Sequence, residues 1–181
     1  MTLLAEVGEG TMVRGPIACI CMICLIAPLS ASGDPIVITV APDQASPADF
    51  TTIQGAIDYL YALEAGPGEY VVVVQPGTYE EQIDFRGVPV SVRADGDAGE
   101  VVIDGTGQSG SVVRFVSGET SLSRLEGFTI TGGTGDSAIL TDAVGGGVFC
   151  YYSDPIIERC VITANTANGG GGVFALASEV I

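Results

Sequence analysis

Apolar residues occur along this chain in short runs that are separated by glycine, proline and aspartate. The clearest runs upstream of residue 120 are Tyr70–Val74, Val88–Arg93, Val101–Asp104 and Val112–Val116. They are rich in valine and too short for helices, so they predict β-strands that end at turns. The chain contains 26 glycines, which suit such turns because glycine adopts positive φ angles without a steric penalty.

A repeat near the C-terminus predicts how these strands are arranged. Gly145–Phe149 recurs as Gly170–Phe174, at an offset of 25 residues. The two copies continue to match further along, with Ser153 aligned to Ser178, Asp154 to Glu179 and Ile156 to Ile181. A repeat of this length indicates stacked units that bury their apolar faces against one another, and the strand content makes each unit a coil of β-strands.

The repeat extends upstream across an insertion. Gly127–Thr131 matches Arg159–Thr163 at an offset of 32 residues, which is the same 25 plus seven. The extra residues fall within Thr134–Val144, which predicts a loop between strands. We expect this loop to pack on nothing periodic, so its Gly135 should tolerate a side chain better than Gly147 does.

One segment has helical rather than strand periodicity. Within Thr52–Leu63, the apolar residues that recur at helical spacing are Ile53, Ala56, Ile57 and Leu60. Thr51 and Gln54 fit a capping box at its start, and Gly66-Pro67-Gly68 ends it. We expect this helix to cover the first coil, because a bare coil would expose its strand edges and apolar interior.

These features resemble a known superfamily. Asp49–Asp58, Val71–Val74 and Pro76–Glu81 look like the start of a right-handed parallel β-helix of the pectin-lyase-like superfamily, and Leu125–Gly133 is similar to its bacterial secreted repeat proteins. The resemblance covers Asp49 to Ile181. It implies an all-β, right-handed parallel β-helix (a solenoid) with an N-terminal amphipathic capping helix. It implies little about activity, because this scaffold hosts lyases, esterases, hydrolases and adhesins.

The N-terminal residues 1–32 are predicted to be a secretory signal peptide, with Met12 as an alternative start. Pro16–Leu29 is an apolar run too short to span a membrane, and it lies between Arg14 and the small residues 30–32. A membrane anchor is the alternative. The prediction is a secreted or cell-envelope protein with a linker over residues 33–48. One β-helix domain over residues 49–181 follows, and we expect it to continue past the end of the chain.

Removal of the signal peptide would leave two cysteines, Cys150 and Cys160. The repeat aligns Cys150 with Ala175, which favours two buried thiols that behave as small apolar residues. A disulfide between them is the alternative that an exported protein permits.

Composition excludes several kinds of chemistry. The chain has no histidine, lysine or tryptophan, which excludes histidine-based triads, histidine zinc sites, P-loops and Schiff-base lysines. Its formal charge of −16 comes from 22 acidic residues and six arginines. Nucleic acid and anionic membranes are therefore not expected as partners, because both bind basic surfaces.

The motif Gly77-Thr78-Tyr79-Glu80-Glu81 matches the early Gly-x-Tyr-x-Glu element of pectinesterases. In that family, as the resemblance implies, catalysis rests on later motifs: Gln-Asp-Thr-Leu, Asp-Phe-Ile-Phe-Gly and Leu-Gly-Arg-Pro-Trp. None of these occurs here. We therefore expect the element to have a structural use, with an esterase remnant as the alternative.

The segment Asp95–Glu100 carries three carboxylates within six residues. Calcium prefers several oxygen ligands, and the resemblance implies that related lyases use calcium. Acidic, glycine-rich segments are more often solvated turns, so calcium stays the minor alternative and no other cofactor is expected. Gly132–Asp136 resembles a calcium-binding nonapeptide only superficially.

Five arginines lie in the predicted mature chain, and the spacing selects none of them as catalytic: Arg86, Arg93, Arg114, Arg124 and Arg159. The resemblance implies that lyases of this fold can use an arginine as the base. Given the excess of acid, we expect each arginine to pair with a carboxylate at the surface. Arg93, beside the acidic turn, is the best catalytic candidate. Asn165 and Asn168 are predicted to stabilise a turn, with glycan contact as the alternative.

Three functions remain. The favoured one is an exported, non-catalytic repeat module that binds carbohydrate or a surface partner, for which Tyr151-Tyr152 is the aromatic pair of the repeat. A lyase or pectinesterase-like enzyme with catalytic residues beyond this chain is the second, and a structural or adhesin spacer is the third. We also expect end-to-end self-association through the last coil.

Overall fold

The computed structural model describes residues 34–43, 48–137 and 141–181, which form three parallel β-sheets and one helix. Sheet A consists of β1 (Ile36–Val40), β2 (Tyr70–Val74), β5 (Ser91–Ala94), β8 (Arg124–Glu126) and β11 (Ile156–Glu158). Sheet B consists of β3 (Gly77–Tyr79), β6 (Val101–Asp104), β9 (Thr129–Thr131) and β12 (Val161–Ile162). Sheet C consists of β4 (Ile83–Asp84), β7 (Val113–Phe115), β10 (Val148–Tyr151) and β13 (Val173–Leu176).

From β2 onward, the chain visits the sheets in the order A, B, C and then returns to sheet A one strand further along, whereas the helix separates β1 from β2. Each such circuit is one coil, and every strand pairs in parallel with its equivalent in the next coil. This confirms the predicted all-β parallel β-helix.

The register between coils follows the sequence repeat. Val148 pairs with Val173 and Cys150 with Ala175, at the offset of 25 residues. Thr129 pairs with Val161, at the offset of 32 residues. The alignment read from the sequence is therefore the alignment of stacked coils.

The interior of the coil is filled by one contiguous apolar cluster, to which each sheet contributes a ladder of inward-facing residues. Sheet A contributes Val72, Val92 and Leu125, and sheet C contributes Val113, Val148 and Cys150. Burial of these ladders is the main driving force for stacking the coils.

Helix α1 (Ile53–Ala62) follows β1 and packs against the first coils. The four predicted apolar positions are fully buried in the core cluster. The predicted capping box is wrong, because the N-cap is Thr52, whose side chain accepts from Gly55 N–H at 3.2 Å. The Gln54 side chain instead donates to Asp58 at 2.6 Å. No helix in the described part of the chain is long and apolar enough to cross a membrane.

Strand β1 lies within residues 33–48, which the sequence predicted to be a linker. It pairs along its whole length with β2, from Ile36 opposite Tyr70 to Val40 opposite Val74. The sheet therefore begins before residue 49, where we expected the domain to start. The predicted signal peptide, residues 1–32, lies outside the described residues.

The inserted loop packs on the coil, contrary to expectation. Asp136 and Val144 exchange two backbone hydrogen bonds of 2.7 and 3.0 Å, and Gly135 N–H donates to Gly110 at 3.1 Å. Gly135 has a φ angle of 89°, and a Cβ atom there would lie 2.9 Å from the Cβ of Ala167. A side chain at Gly135 is therefore strained and crowded.

Candidate functional site

The Gly-x-Tyr-x-Glu element is built into the coil through Tyr79. Its ring is buried on β3, and its hydroxyl donates to Gln75 O at 2.9 Å and lies 3.3 Å from Val40 O. Burial raises the pKa of Tyr79 to about 12. The phenol is thus held neutral, as a hydrogen-bond donor to the backbone.

The glutamate of the same element anchors helix α1. The Glu81 carboxylate accepts from Ile53 N–H at 2.8 Å and from Gln54 N–H at 2.9 Å, at the positive end of the helix. Burial raises the pKa of Glu81, and the two backbone hydrogen bonds act in the opposite direction. These contacts give Tyr79 and Glu81 structural roles.

The acidic segment Asp95–Glu100 forms a self-contained turn. Asp97 N–H donates to Glu100 Oε2 at 3.1 Å, and Glu100 N–H donates to Asp97 O at 2.8 Å. Across the described residues, no three side chains of histidine, cysteine, aspartate or glutamate are grouped closely enough to hold a metal ion. The turn therefore gives the calcium hypothesis no geometric support.

Four of the five predicted surface arginines pair with carboxylates. Arg114 bridges two acids, with Nε 2.9 Å from Asp136 and a terminal nitrogen 3.5 Å from Asp84. The other pairs are Arg86 with Asp58, Arg124 with Glu158, and Arg159 with Glu126. Most of these pairs join two coils, so they help to fix the stacking register.

Arg93 differs from the other arginines. It is exposed on the outer face of sheet A, in register with Val73 of the coil before and Glu126 of the coil after. Among the described residues, no carboxylate lies within ion-pairing distance of it. The Gly-x-Tyr-x-Glu element lies on sheet B, so the structure does not bring Arg93 and that element together.

A cavity of about 440 Å³ lies where sheet A turns into sheet B; we call it the corner cavity. Small residues form much of it, and charged residues complete the lining: Ala94, Gly96, Asp97, Ala98, Glu126, Gly127 and Arg159. It thus brings part of the acidic turn together with one predicted arginine. Glu126 was not singled out in the sequence, because its pairing with Arg159 depends on the stacking of two coils.

A second feature, the aromatic surface, lies on the outer side of sheet C and comprises Phe149, Tyr151, Tyr152 and Phe174. The Phe149 ring lies 6.2 Å from Phe174 and 6.3 Å from Tyr151, and Tyr151 contacts Tyr152 edge-on at 4.7 Å. Phe149 is buried, whereas Tyr152 is 65% exposed. The phenylalanines were visible in the repeat, but the strand pairing was needed to place them beside the tyrosines.

Both described cysteines are free thiols, so the structure favours the prediction of apolar packing over a disulfide. Cys150 is fully buried, and burial raises its pKa to about 12. Burial also raises the pKa of Cys160. Neither thiol is activated as a nucleophile, because the thiolate is the reactive form.

Asn165 stabilises the predicted turn. Its side-chain amide donates to Ile130 O and Thr163 O at 2.9 Å each, and its side-chain oxygen accepts from Gly133 N–H at 2.8 Å. Both polar atoms of its side chain are therefore used within the protein. Asn168 is exposed.

Sequence reasoning missed a buried carboxylate, Glu119. It accepts from Gly87 N–H at 2.8 Å, Ser117 N–H at 2.9 Å and the Ser153 hydroxyl at 2.7 Å. Three donors from neighbouring turns satisfy the buried charge. The only sequence signal was the serine that recurs at positions 153 and 178. The hydrogen bonds give Glu119 a structural role.

The chain has a distant structural likeness to a solved protein. No protein-family model matches the chain, and no curated protein matches it. Among solved structures, it is similar to a pectin methylesterase from carrot, with 20% sequence identity and a TM-score of 0.49. The match covers 75% of this chain and 42% of that chain, so this chain spans less than half the length of the solved one. The parallel β-helix itself is shown by the three sheets.

Proposed function

We propose that the protein is an exported, non-catalytic β-helix module that binds carbohydrate through the aromatic surface. The exposed ring of Tyr152 carries this proposal. Aromatic rings offer a rigid apolar face with a polar edge, and the C–H faces of sugar rings stack on such a platform. Tyr151 supports Tyr152 edge-on at 4.7 Å.

The backbone places Tyr152 at a corner of the coil. Its φ angle is 49°, a left-handed conformation that costs a non-glycine residue about 1–2 kcal/mol. The equivalent position in the next coil is Ala177, also left-handed at 51°. A bulky exposed tyrosine in this corner contributes little to packing, which favours a role in binding.

The polar groups suit binding better than catalysis. Tyr79 and Glu81 are engaged with the backbone and helix α1, and Arg114 is held between two carboxylates. Because the formal charge is −16, a neutral polysaccharide should bind better than a polyuronate, which the protein would repel.

The test is affinity electrophoresis and calorimetry against xylan, a mixed-linkage β-glucan, pectin and polygalacturonate. We expect at least one neutral polysaccharide to bind, and Tyr152→Ala to weaken that binding at least tenfold. Tyr61→Ala is the matched control, because Tyr61 is 54% exposed on helix α1 and its loss should leave affinity unchanged.

The same samples test the enzyme alternatives. We expect neither methanol release from pectin nor an unsaturated, ultraviolet-absorbing product from polygalacturonate, with or without calcium. Either product, if lost in Arg93→Ala, would replace the binding proposal with a catalytic one. Failure to bind any of the four polysaccharides would also contradict it.

End-to-end self-association is proposed separately, from the exposed face of the last coil. Strands β11, β12 and β13 each lie at an edge of their sheet, and exposed apolar residues accompany them: Val161, Val173, Leu176 and Ile181. Free strand edges recruit further strands. Light scattering across a dilution series should show a mass that rises with concentration, whereas a monomer at every concentration would contradict the proposal.

A further inference from the structure

The corner cavity is distinct from the aromatic surface, because it lies between sheets A and B while the aromatic surface lies on sheet C. We propose that the corner cavity is a second binding site, which takes one amino-sugar unit of a glycan. The proposal goes beyond the module function, since it names a different site and a different ligand chemistry.

The cavity exists because its walls are made of small residues in consecutive coils. Ala94 lies beneath Gly127 of the next coil, and a Cβ atom at Gly127 would lie 3.1 Å from the Cβ of Ala94. Gly96 and Ala98 extend the same wall. A volume of about 440 Å³ accommodates a single sugar ring with its hydroxyl groups.

The charged residues around the cavity set the chemistry of the ligand. On one side, the Arg159 guanidinium pairs with the Glu126 carboxylate, which offers adjacent donors and acceptors to neighbouring hydroxyl groups. On the other side lies Asp97, whose backbone is tied into the turn with Glu100. The three charges sum to −1, so a ligand with an ammonium group beside its hydroxyls complements them better than a uronate does.

Arg159 lies at a left-handed corner of the coil, a conformation that Ala164 and Ala177 also adopt. Arg159 has a φ angle of 55°, while the residue in register in the coil before is Gly127, with a φ angle of 84°. Glycine adopts this conformation freely, whereas arginine does not. The arginine is 73% exposed, so packing does not account for it, and its contact with Glu126 places it at the cavity.

This geometry provides a test variant that does not threaten the fold. Arg159→Gly relieves the left-handed strain but also removes the ion-pair partner of Glu126, whose side chain is 15% exposed. The two effects oppose each other, so the melting temperature should change by only a few degrees. The same variant removes the guanidinium from the cavity. We therefore expect Arg159→Gly to lose ligand binding at least tenfold while remaining folded.

The probes are the β-1,4-linked tetramer of glucosamine, its N-acetylated form, and a tetragalacturonate, titrated by calorimetry at pH 6. The N-acetylated tetramer is the matched uncharged ligand. The glucosamine tetramer should bind most tightly and tetragalacturonate least tightly. Asp97→Asn should weaken the glucosamine tetramer at least tenfold and the acetylated one less than threefold.

Two controls separate the site from general attraction and from the aromatic surface. Asp34→Asn makes the same charge change at an exposed position before β1 and should leave affinity within twofold. Tyr152→Ala should also leave it unchanged, so failure of either site can be told from failure of the other. Three outcomes would overturn the proposal. They are equal weakening of binding by Asp34→Asn and Asp97→Asn, tighter binding of tetragalacturonate than of the glucosamine tetramer, and full affinity in Arg159→Gly.

Discussion

The two copies of the glycine repeat have nearly the same sequence and different environments. In the first copy, Val148 and Phe149 are fully buried, whereas Val173 in the second copy is 40% exposed. The strands pair residue by residue, so their conformations are alike. The difference is that the first copy lies between two coils, β7 on one side and β13 on the other, whereas among the described strands the second pairs only with β10. Burial in a solenoid thus depends on the neighbouring coils and not on the repeat itself.

Substitution of matched glycines in the two copies should give the largest difference in stability. A Cβ atom at Gly147 would lie 2.6 Å from Ile162 Cγ2 and 2.7 Å from Gly172 O, while one at Gly172 would lie 3.7 Å from Ile162 Cγ2. We expect Gly147→Val to destabilise the protein by about 3 kcal/mol or more, and Gly172→Val by less than about 1 kcal/mol. Urea unfolding of both variants measures this.

The inserted loop provides a further arm of that experiment. On sequence grounds Gly135→Val should be mild, but the structure predicts a loss comparable to that of Gly147→Val, because of its positive φ angle and its contact with Ala167. Equal losses of stability in Gly147→Val and Gly172→Val would contradict the difference in environment between the two copies. A mild effect at Gly135 would contradict the packing of the loop.

Truncation of the matched valines should give an intermediate effect. Val148→Ala removes two methyl groups from the buried core and should cost about 2 kcal/mol, whereas Val173→Ala should cost less than about 1 kcal/mol. The m-values should match those of the wild type, because the same surface unfolds. If both variants lose the same free energy of unfolding, the second copy must be covered in solution. Self-association would cover it in this way.

Alkylation rates of thiols at matched positions perturb the protein least and report on the exposure of single residues. Because the pKa of Cys150 is raised to about 12, its reactive thiolate is scarce at pH 8 and appears only as the pH rises towards that value. Ala175 is its register partner and is exposed. With iodoacetamide at pH 8, position 175 of an Ala175→Cys variant should react at least about 100-fold faster than Cys150.

Peptide mass mapping reads the two positions separately in one sample, so other cysteines do not interfere. Unfolding in urea is the control and should bring both to the same rate. Rapid labelling of Cys150 in the folded protein would show that the first copy opens readily and would weaken the comparison.

Much of the fold could be predicted from the sequence, because its signals are local or strictly periodic. The apolar runs became strands, the helical spacing of Ile53 to Leu60 became a helix with that face buried, and the 25-residue offset became the strand register. Strand β1 was missed because Ile36–Val40 was read with the linker around it. The capping box was misassigned because an equivalent acceptor, Thr52, lies one residue away.

The candidate sites could be predicted only as separate residues. The sequence indicated Arg159, the acidic turn and the tyrosine pair, yet nothing in it joined Arg159 to Glu126 or Phe174 to Phe149. Those contacts link residues that are 25 to 33 positions apart in the sequence, and this separation depends on the length of each turn. The turns vary in length, and one carries the insertion, so the contacts followed only once the coils were stacked.

Most strands, the helix and the spacing of the coils follow from local sequence signals, because backbone propensity and the alternation of apolar side chains act over a few residues. The tertiary structure decided which copy of the repeat is buried. It also decided that Glu81 anchors a helix 28 residues upstream and that small residues from two coils line the corner cavity. These depend on which coil lies next to which, and side chains on neighbouring coils meet only after the chain has made a full turn.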